Sequence, residues 1–581
     1  MTQASVLRTA PSSNRPRQAG LWVCAPMAAL VLLTAGLLWQ NRTQLDRHWP
    51  ASSSAMAELK KQLAATKDPQ AAEAMIPHIR QADLDLRQQY FSLRQQQLWG
   101  GYLLLAELAV LATLLHQSLA IGIAPAKPAQ EPEPTRRLKS ALVLRNVLGL
   151  ATCGLLAVAV AANFLSTQRA APIETAKAPL AAAPSAAELA ANWSRFRGPD
   201  GSGISPLTDL PDDWDGATGK NILWKTPLEL EGASSPVIWG KKVFLTAASK
   251  SSPQAYCFDA DSGKLLWQQE VPTSQRQAVE VMEDTGFAAP TPATDGRVVA
   301  TIFATGDLGC YDLDGHLLWT RSLGPLDSTY GYASSLTIYK DLLIVLLDEG
   351  AGPEDNKSRI AAFNLLTGLP VWETKRPVGG SWASPIIAAT PTGDQCITVA
   401  TPWVISYAAQ TGKELWRAEL LSPDVAPSPI YAGGLVYVVN AGSKLAAIKP
   451  DGQGDVTRTH VAWSAEDGLP DVVSPISDGK LLLLTTSGGR LTYYRCTGPD
   501  AGKVAAEKQL DDLVFRPSPV LAGDKLYLLA KDGTMVIVRW GEGFEEIRRC
   551  NLNESCKASP AVASGRIFIR TEKNLWCIGT K

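Results

Sequence analysis

Residues 218–224 have the sequence TGKNILW, and this stretch decides how the fold is expected to close on itself. A glycine turn followed by a strand that carries Trp forms the last strand of a unit that recurs along the C-terminal two thirds of the chain. This first copy has no three strands before it. The final unit has the opposite defect, because it continues from Ser559 through GRIFIRT and KNLWCIG and then stops after three strands. We therefore predict that the strand at 218–224 completes the last unit, which closes a ring and removes exposed sheet edges.

A second marker, a Ser-Pro or similar dipeptide, opens the first strand of each unit. Its eight copies lie at Ser235-Pro236, Thr291-Pro292, Ser334-Ser335, Ser384-Pro385, Ser428-Pro429, Ser474-Pro475, Ser518-Pro519 and Ser559-Pro560. The copies are spaced by 41 to 56 residues. Units of four strands with such a period are typical of β-propellers. The sequence thus predicts an all-β, eight-bladed propeller with four-stranded blades.

The glycine and tryptophan positions of the repeat are predicted to be structural. Glycine permits the positive φ of tight hairpins, and the Trp ring is expected to pack between adjacent blades. The residues of this motif are Gly219 and Trp224, Gly263 and Trp267, Gly315 and Trp319, Gly368 and Trp372, Gly412 and Trp416, and Trp463 after a longer loop. The units near 503–512 and 540–552 lack the Trp.

The Ala-x-Asp…Thr-Gly-x-x-x-Trp pattern of these units resembles the pyrroloquinoline quinone (PQQ) propeller repeat. The opening phrase at 192–201, NWSRFRGPDG, likewise resembles the start of PQQ-binding-like propeller proteins. That repeat occurs in quinoprotein alcohol and glucose dehydrogenases and in BamB-like outer-membrane assembly scaffolds. The resemblance covers about 193–581 and implies the fold, whereas activity stays open because one repeat serves both catalysts and scaffolds.

Three apolar runs upstream of the repeat have the length of membrane spans. The first run ends in LWQNRT without a small-residue cleavage pattern, so an uncleaved anchor is favoured over a signal peptide. Arg8, Arg15 and Arg17 precede it, and the loop at 125–140 is also basic. By the positive-inside rule both belong in the cytoplasm, which predicts a multi-pass bacterial inner-membrane protein with its propeller in the periplasm.

The predicted organisation has eight parts. They are a cytoplasmic tail (1–20), transmembrane helix 1 (21–40), an extracytoplasmic helical hairpin (41–99), transmembrane helix 2 (100–124), a cytoplasmic loop (125–140), transmembrane helix 3 (141–165), an Ala/Pro-rich linker (166–192) and the propeller (193–581). Glu107 and His116 fall inside the second predicted span. Ionisable groups there are candidates for function, and the alternative is that Glu107 lies near the outer interface while His116 faces neighbouring helices.

Composition and residue types argue against several classes of function. The 581 residues include 55 Lys+Arg against 56 Asp+Glu, so no global positive charge is available to attract a nucleic acid. The five His are scattered singly, which disfavours a His-rich metal centre or a Ser-His-Asp triad. The acidic stretch at 348–356 has oxygen ligands of the kind that Ca²⁺ prefers, but its spacing does not match an EF-hand, and we predict a solvated loop.

The cysteines of the repeat region are predicted to be small core residues. Cys257, Cys310, Cys496 and Cys577 fall on third strands, and Cys396 falls on a second strand. In an oxidising compartment disulfides can form. The one candidate pair is Cys550 with Cys556, across a hairpin loop.

The resemblance implies a specific chemistry for an enzyme: Ca²⁺ bound by carboxylate and amide oxygens, an Asp general base, and a quinone clamped between an aromatic ring and, in alcohol dehydrogenases, a disulfide of adjacent cysteines. No Cys-Cys dipeptide is present, and no Asp base or Ca²⁺ ligand can be assigned, so the sequence predicts no catalytic, cofactor-binding or metal residue. We expect a membrane-integral scaffold with an envelope protein partner, no nucleic acid and no cofactor. The alternatives are a PQQ-dependent alcohol or sugar dehydrogenase, which would use PQQ and Ca²⁺, and a ligand-sensing membrane protein.

Overall fold

The computed structural model describes residues 28–43, 100–112, 182–250, 252–272, 281–328 and 330–580. The chain divides into two compact units, residues 1–162 and residues 163–581. The predicted span at 141–165, the segment 44–99 and His116 lie outside the described residues.

In the first unit, the described residues form one helix over 28–43 and another over 100–112. The two helices contact each other, because a Cβ built on Gly100 would lie 2.5 Å from Cδ2 of Leu38. The hydroxyl of Thr34 donates a hydrogen bond of 3.0 Å to Oε1 of Glu107, and both side chains are buried. Over these two described stretches, neither helix is long and apolar enough to cross a membrane.

The first described element of the second unit is a short helix, Ala186–Ala190, inside the predicted linker. Ser185 caps this helix, and its capping box with Glu188 satisfies donors at the helix start. Two strands follow before the first complete blade: the two-residue β1 Ile204–Ser205 and the six-residue β2 Ile222–Pro227.

Eight sheets then follow one another around a ring, and each forms one blade. Blade 1 consists of β3 Val237–Trp239, β4 Lys242–Ala248, β5 Pro253–Asp259 and β6 Leu265–Glu270. Blade 2 consists of β7 Ala293–Thr294, β8 Val298–Ile302, β9 Asp307–Asp312 and β10 Leu317–Ser322. Blade 3 consists of β11 Thr337–Tyr339, β12 Leu342–Leu347, β13 Arg359–Asn364 and β14 Pro370–Lys375. Blade 4 consists of β15 Ile386–Thr390, β16 Gly393–Ala400, β17 Trp403–Ala408 and β18 Glu414–Glu419.

The remaining four blades repeat this plan. Blade 5 consists of β19 Ile430–Ala432, β20 Leu435–Val439, β21 Leu445–Ile448 and β23 Val461–Ala465, with β22 Gly454–Asp455 in the loop before β23. Blade 6 consists of β24 Ile476–Ser477, β25 Leu481–Thr485, β26 Arg490–Arg495 and β27 Val504–Gln509. Blade 7 consists of β28 Val520–Ala522, β29 Lys525–Leu529, β30 Thr534–Arg539 and β31 Glu546–Asn551. Blade 8 consists of β32 Ala561–Ala563, β33 Arg566–Arg570, β34 Asn574–Ile578 and the early strand β2.

The predicted closure is confirmed. Strand β2 pairs antiparallel with β34, with Trp224 opposite Cys577, so the first long strand of the propeller completes its last blade. Two blades differ from the four-strand prediction. Strand β1 adds in parallel to the inner strand β28, and β22 adds in parallel to the outer strand β18. Each added strand has only two residues, too few to show a period in the sequence.

Five of the six motif tryptophans lie between blades, each against a glycine turn of the next blade. A Cβ built on Gly263 would lie 2.5 Å from the Trp224 ring, and the Trp224 Nε1 donates to the carbonyl of Ala260 at 3.0 Å. The equivalent contacts join Trp267 to Gly315, Trp319 to Gly368, Trp372 to Gly412 and Trp463 to Gly502. In blade 4 the link is indirect, because Trp416 donates to Gln395, which donates onward to Pro450 O.

Gly219 is the exception among the motif glycines. The blade before it is blade 7, which lacks a motif Trp, and a Cβ at Gly219 would meet nothing within 4 Å. Its positive φ of 75° is still required by the turn that leads into β2.

The candidate disulfide is not formed. Cys550 and Cys556 are free and buried, and each contacts a different neighbour. Trp214 N donates to Cys550 Sγ at 3.4 Å, whereas the Cys556 thiol donates to Ala530 O at 3.3 Å. Burial raises the pKa of Cys556 to about 12 and also raises the pKa of Cys550. The five other cysteines of the propeller are buried free thiols as well.

Candidate functional site

The centre of the propeller is lined by a closed ring of hydrogen bonds between blades. In each blade, the backbone N–H of the Ser or Thr that opens the inner strand donates to the hydroxyl of the equivalent residue in the next blade. The eight members are Ser235, Thr291, Ser335, Ser384, Ser428, Ser474, Ser518 and Ser559. The bond from Ser559 N to Ser235 Oγ, 3.0 Å long, closes the circle. We call these eight residues the hydroxyl ring.

The ring explains why the sequence marker recurs. At every one of these buried positions a small Ser or Thr hydroxyl accepts the neighbour's N–H, which would otherwise lack a partner. It also corrects one detail of the marker: in blade 3 the ring member is Ser335, so the phrase begins at Ser335-Leu336 rather than at Ser334-Ser335. Ser334 instead donates to Ala383 O.

One end of the hub is covered by residues 193–205. Trp193 O accepts from Ile238 N in blade 1, and Ser194 O accepts from Thr294 N in blade 2. At the other end of the segment, β1 pairs with β28 of blade 7. The segment therefore crosses the hub, and the Phe196 ring lies at the floor of the central cavity.

Two buried arginines fix this covering segment. Arg195 Nη2 donates to Pro385 O at 2.9 Å, and Arg197 Nη2 donates to Pro475 O at 2.5 Å. Within the described residues neither guanidinium has a carboxylate at ion-pair distance. Burial lowers the pKa of Arg195 to about 10 and that of Arg197 to about 9, with Asp200 opposing both shifts. Each carbonyl accepts one N–H of a guanidinium. Without it, that buried donor would have no hydrogen bond from this partner.

Above Phe196 the hub encloses a cavity of about 700 Å³ whose wall includes the whole hydroxyl ring. The loops that enter the inner strands surround its open end, which we call the mouth. Small side chains such as Ala233, Ala333 and Ala426 line the wall between the ring and the mouth. A cavity of this size lies within the range of small-molecule and cofactor sites.

Charged side chains from distant loops meet at the mouth. Arg516 lies 3.9 Å from Asp284 and 3.8 Å from Asp471, nitrogen to oxygen. Lys557 lies 3.5 Å from Asp284 and also donates to Glu283 O. Lys531 lines the same cavity and has no ion-pair partner in the part of the chain that the structure describes.

An aromatic pair forms the opposite wall of the mouth. The rings of Tyr330 and Trp382 are 4.8 Å apart at 85°, and Trp382 Nε1 donates to Ser328 Oγ at 3.1 Å. Edge-to-face geometry of this kind fixes both rings.

The acidic stretch at 348–356 is not uniformly solvated, which corrects the sequence-based prediction. Asp348 is buried and accepts two hydrogen bonds from Arg376, at 2.7 and 3.1 Å, and one from Ser381 Oγ at 2.7 Å. Burial raises the pKa of Asp348, while Arg376 and Ser381 oppose the rise. Arg376 also donates to Tyr407 OH, so the network joins blades 3 and 4 beside the mouth. The rest of the stretch includes a 3-10 turn, Pro353–Asp355.

The residues at the hub do not match the ligand set that the quinoprotein resemblance implies. Across the described ranges, no group of three or more His, Cys, Asp or Glu side chains is placed to hold a metal ion. Ca²⁺ takes about six to eight oxygen ligands, whereas Asp284 and Asp471 at the mouth face Arg516.

The residues that line the mouth belong to no recurring sequence motif, so the sequence predicts none of them as site residues. Asp284 and Arg516 are far apart in the sequence, and neither belongs to a motif. The one available signal was the longest spacing between markers, 56 residues from Ser235 to Thr291, because the connection that carries Asp284 supplies the extra length.

Comparison with known proteins places the repeat in a family. A family model described as outer membrane protein assembly factor BamB matches residues 213–351 and 356–581. The chain is 25% identical over 289 residues to the outer membrane protein assembly factor BamB of Yersinia pestis, covering 48% of this chain and 65% of that protein. It is also 25% identical over 252 residues to the tetrathionate hydrolase of Acidithiobacillus ferrooxidans, covering 40% and 46%. The chain thus spans less than two thirds of the length of either relative.

One solved structure of low sequence identity shares the fold. A quinohemoprotein alcohol dehydrogenase from Pseudomonas putida aligns with a TM-score of 0.50 at 12% identity, covering 70% of this chain and 84% of that chain. BamB from Moraxella catarrhalis aligns with a TM-score of 0.45 at 16% identity, covering 61% and 98%. At these identities the likeness concerns the fold alone. The family model, in contrast, covers more than half of the chain, and on that ground the chain belongs to the BamB family of outer membrane protein assembly factors.

Proposed function

We propose that this chain is a membrane-anchored periplasmic propeller that binds an envelope protein and acts as a scaffold in outer-membrane assembly. The observation that carries the proposal is the match of most of the propeller to the model of an assembly factor. The Yersinia pestis relative of the same name supports it.

The mouth has the character of a protein contact surface. Met282, Tyr330 and Val514 are 47%, 38% and 49% exposed, and they lie on three of the loops that enter inner strands. Apolar and aromatic side chains exposed beside charged groups favour a protein partner.

The binding proposal can be tested by placing a photo-crosslinking amino acid at Tyr330 or Val514 in cells. We expect adducts with an envelope protein from both positions. Leu317, which is 38% exposed on an outer strand, is the matched control position and should give none. Absence of adducts at the mouth, or the same adducts from Leu317, would contradict the proposal.

The proposed location rests on the apolar runs at 21–40, 100–124 and 141–165 and on the basic residues that flank them. Alkaline phosphatase, which is active only outside the cytoplasm, is the appropriate reporter. We expect activity when it is fused after the last residue of the chain and no activity when it is fused within 125–140. The reverse result would put the propeller in the cytoplasm.

The alternative is a PQQ-dependent dehydrogenase, and the cavity of about 700 Å³ is the observation that favours it. Purified full-length protein, given PQQ, Ca²⁺ and an alcohol or sugar, should then reduce an artificial dye. Dye reduction would support the dehydrogenase alternative and contradict the scaffold proposal. A thermal shift with a small ligand but without turnover would instead favour the ligand-sensing alternative.

A further inference from the structure

The mouth of the hub brings together three cations. Arg516 and Lys557 have carboxylates only at 3.5 to 3.9 Å, and Lys531 has none at ion-pair distance among the described residues. We propose that the mouth receives an acidic segment of a protein partner, and that Asp284 occupies the same cations as an internal competitor in the free protein. The inference rests on the proposed protein-binding function and names the chemistry of the partner.

The first support is the placement of the cations. Arg516 lies at the junction of blades 6 and 7, and Lys531 lies within blade 7. Lys557 lies at the junction of blades 7 and 8. All three line one side of the cavity. Lys531 has no carboxylate within ion-pair distance among the described residues. The wall also carries Asp284, Asp424 and Asp471, so the positive charge is local to this side rather than a property of the whole cavity. Three adjacent cations on one side of a concave site favour an anionic ligand there.

The second support is the weakness of the internal neutralisation. The distances from Asp284 to Lys557 and Arg516 are 3.5 and 3.9 Å, and the carboxylate is 65% exposed. The buried pair of Arg376 and Asp348, in contrast, is 2.7 Å apart. Exposed ion pairs at such long distances contribute little, so another carboxylate can replace Asp284 at small cost.

The third support is the chemistry deeper in the cavity. Each hydroxyl of the ring accepts one N–H, and within the described residues none of the eight donates a hydrogen bond. The ring therefore offers O–H donors to whatever enters, and the carbonyl oxygens of an extended peptide are suitable acceptors.

The surroundings of the mouth favour a peptide over a small anion. Met282 and Val514 each lie two residues from a charged member of the mouth and are about half exposed. A small carboxylate inside the cavity would leave them in water, whereas a protein segment that enters the mouth would bury them.

Binding is tested with full-length protein and a fluorescent peptide of alternating Glu and Ala, against a Gln-Ala peptide of equal length. We expect the acidic peptide to bind, with an affinity that falls as salt rises. R516Q and K557Q should each weaken binding about tenfold, and D284N should tighten it about threefold, because the competitor is lost. R490Q is the matched control, since Arg490 is an exposed, singly paired arginine outside the cavity, and it should bind like the wild type.

Several results would overturn the inference. They are equal binding of both peptides, unchanged affinity in R516Q and K557Q, weaker binding in D284N, or binding of glutarate but not of the peptide. The mouth crosslinking experiment keeps the two proposals separate. Adducts that persist in R516Q and K557Q, together with no acidic-peptide binding, would leave the scaffold function standing and reject the acidic partner.

Discussion

At the residue scale, the Arg376–Asp348 pair is the part of the structure most sensitive to a single change. Both side chains are fully buried, and Arg376 also donates hydrogen bonds to the hydroxyls of Thr398 and Tyr407. R376M would leave a buried carboxylate without its counter-ion, and we expect a loss of about 3–5 kcal/mol in the free energy of unfolding. Urea unfolding followed by Trp fluorescence measures it. The double variant D348L/R376M should recover most of the loss, and R490Q should unfold like the wild type.

The cysteines allow a second residue-scale test. Because burial raises the pKa of Cys556 to about 12, its thiol is protonated and inert at pH 8. We expect native protein to resist alkylation by iodoacetamide at Cys550 and Cys556. Unfolding without reductant should make both reactive, as mass spectrometry of the labelled peptides would show. A pair that reacts only after reduction would mean that a disulfide forms after all.

At the element scale, the contact between one blade's Trp and the next blade's glycine turn can be isolated by a matched pair of variants. Gly263 and Gly219 have similar φ values, 69° and 75°, so alanine strains both turns equally. Only at Gly263 would the new Cβ collide with a Trp ring. We expect G263A to lose about 1–3 kcal/mol more than G219A in urea unfolding. Equal losses would mean that the turn, rather than the ring contact, sets the cost.

The elements also show how far the sequence could predict the molecule. The strands and their closure follow from markers that recur because every blade needs a hydroxyl in the ring and a glycine in the turn. The covering segment at 193–205 occurs once in the sequence, so the repeat pattern does not predict its position across the hub. The mouth depends on loops such as those of Asp284 and Arg516, which meet only after the ring has closed. Asp348 and Arg376 follow two different strands of blade 3, and their network reaches blade 4 through Tyr407, a contact that no motif records.

At the scale of the whole molecule, stability depends on the ring being closed by a strand from the start of the repeat region. Strand β2 supplies the outer edge of blade 8 and its Trp224 packs against blade 1. A chain that starts at residue 229 would expose β34 as an unpaired edge and would lose this interface, together with the covering segment at 193–205. We expect that chain to unfold at lower urea and to associate with itself, because exposed edges pair with other strands.

A chain that starts at residue 182 is the control for this truncation, because it lacks the first unit but keeps the covering segment and β2. We expect it to remain a folded monomer by size-exclusion chromatography with light scattering. The comparison separates closure from chain length: if both truncated chains associate, the first unit rather than β2 keeps the propeller monomeric. If neither chain associates, blade 8 is stable with three strands, and ring closure by β2 contributes little to keeping the propeller monomeric. Because β2 covers the edge of β34, we expect only the chain that starts at residue 229 to associate.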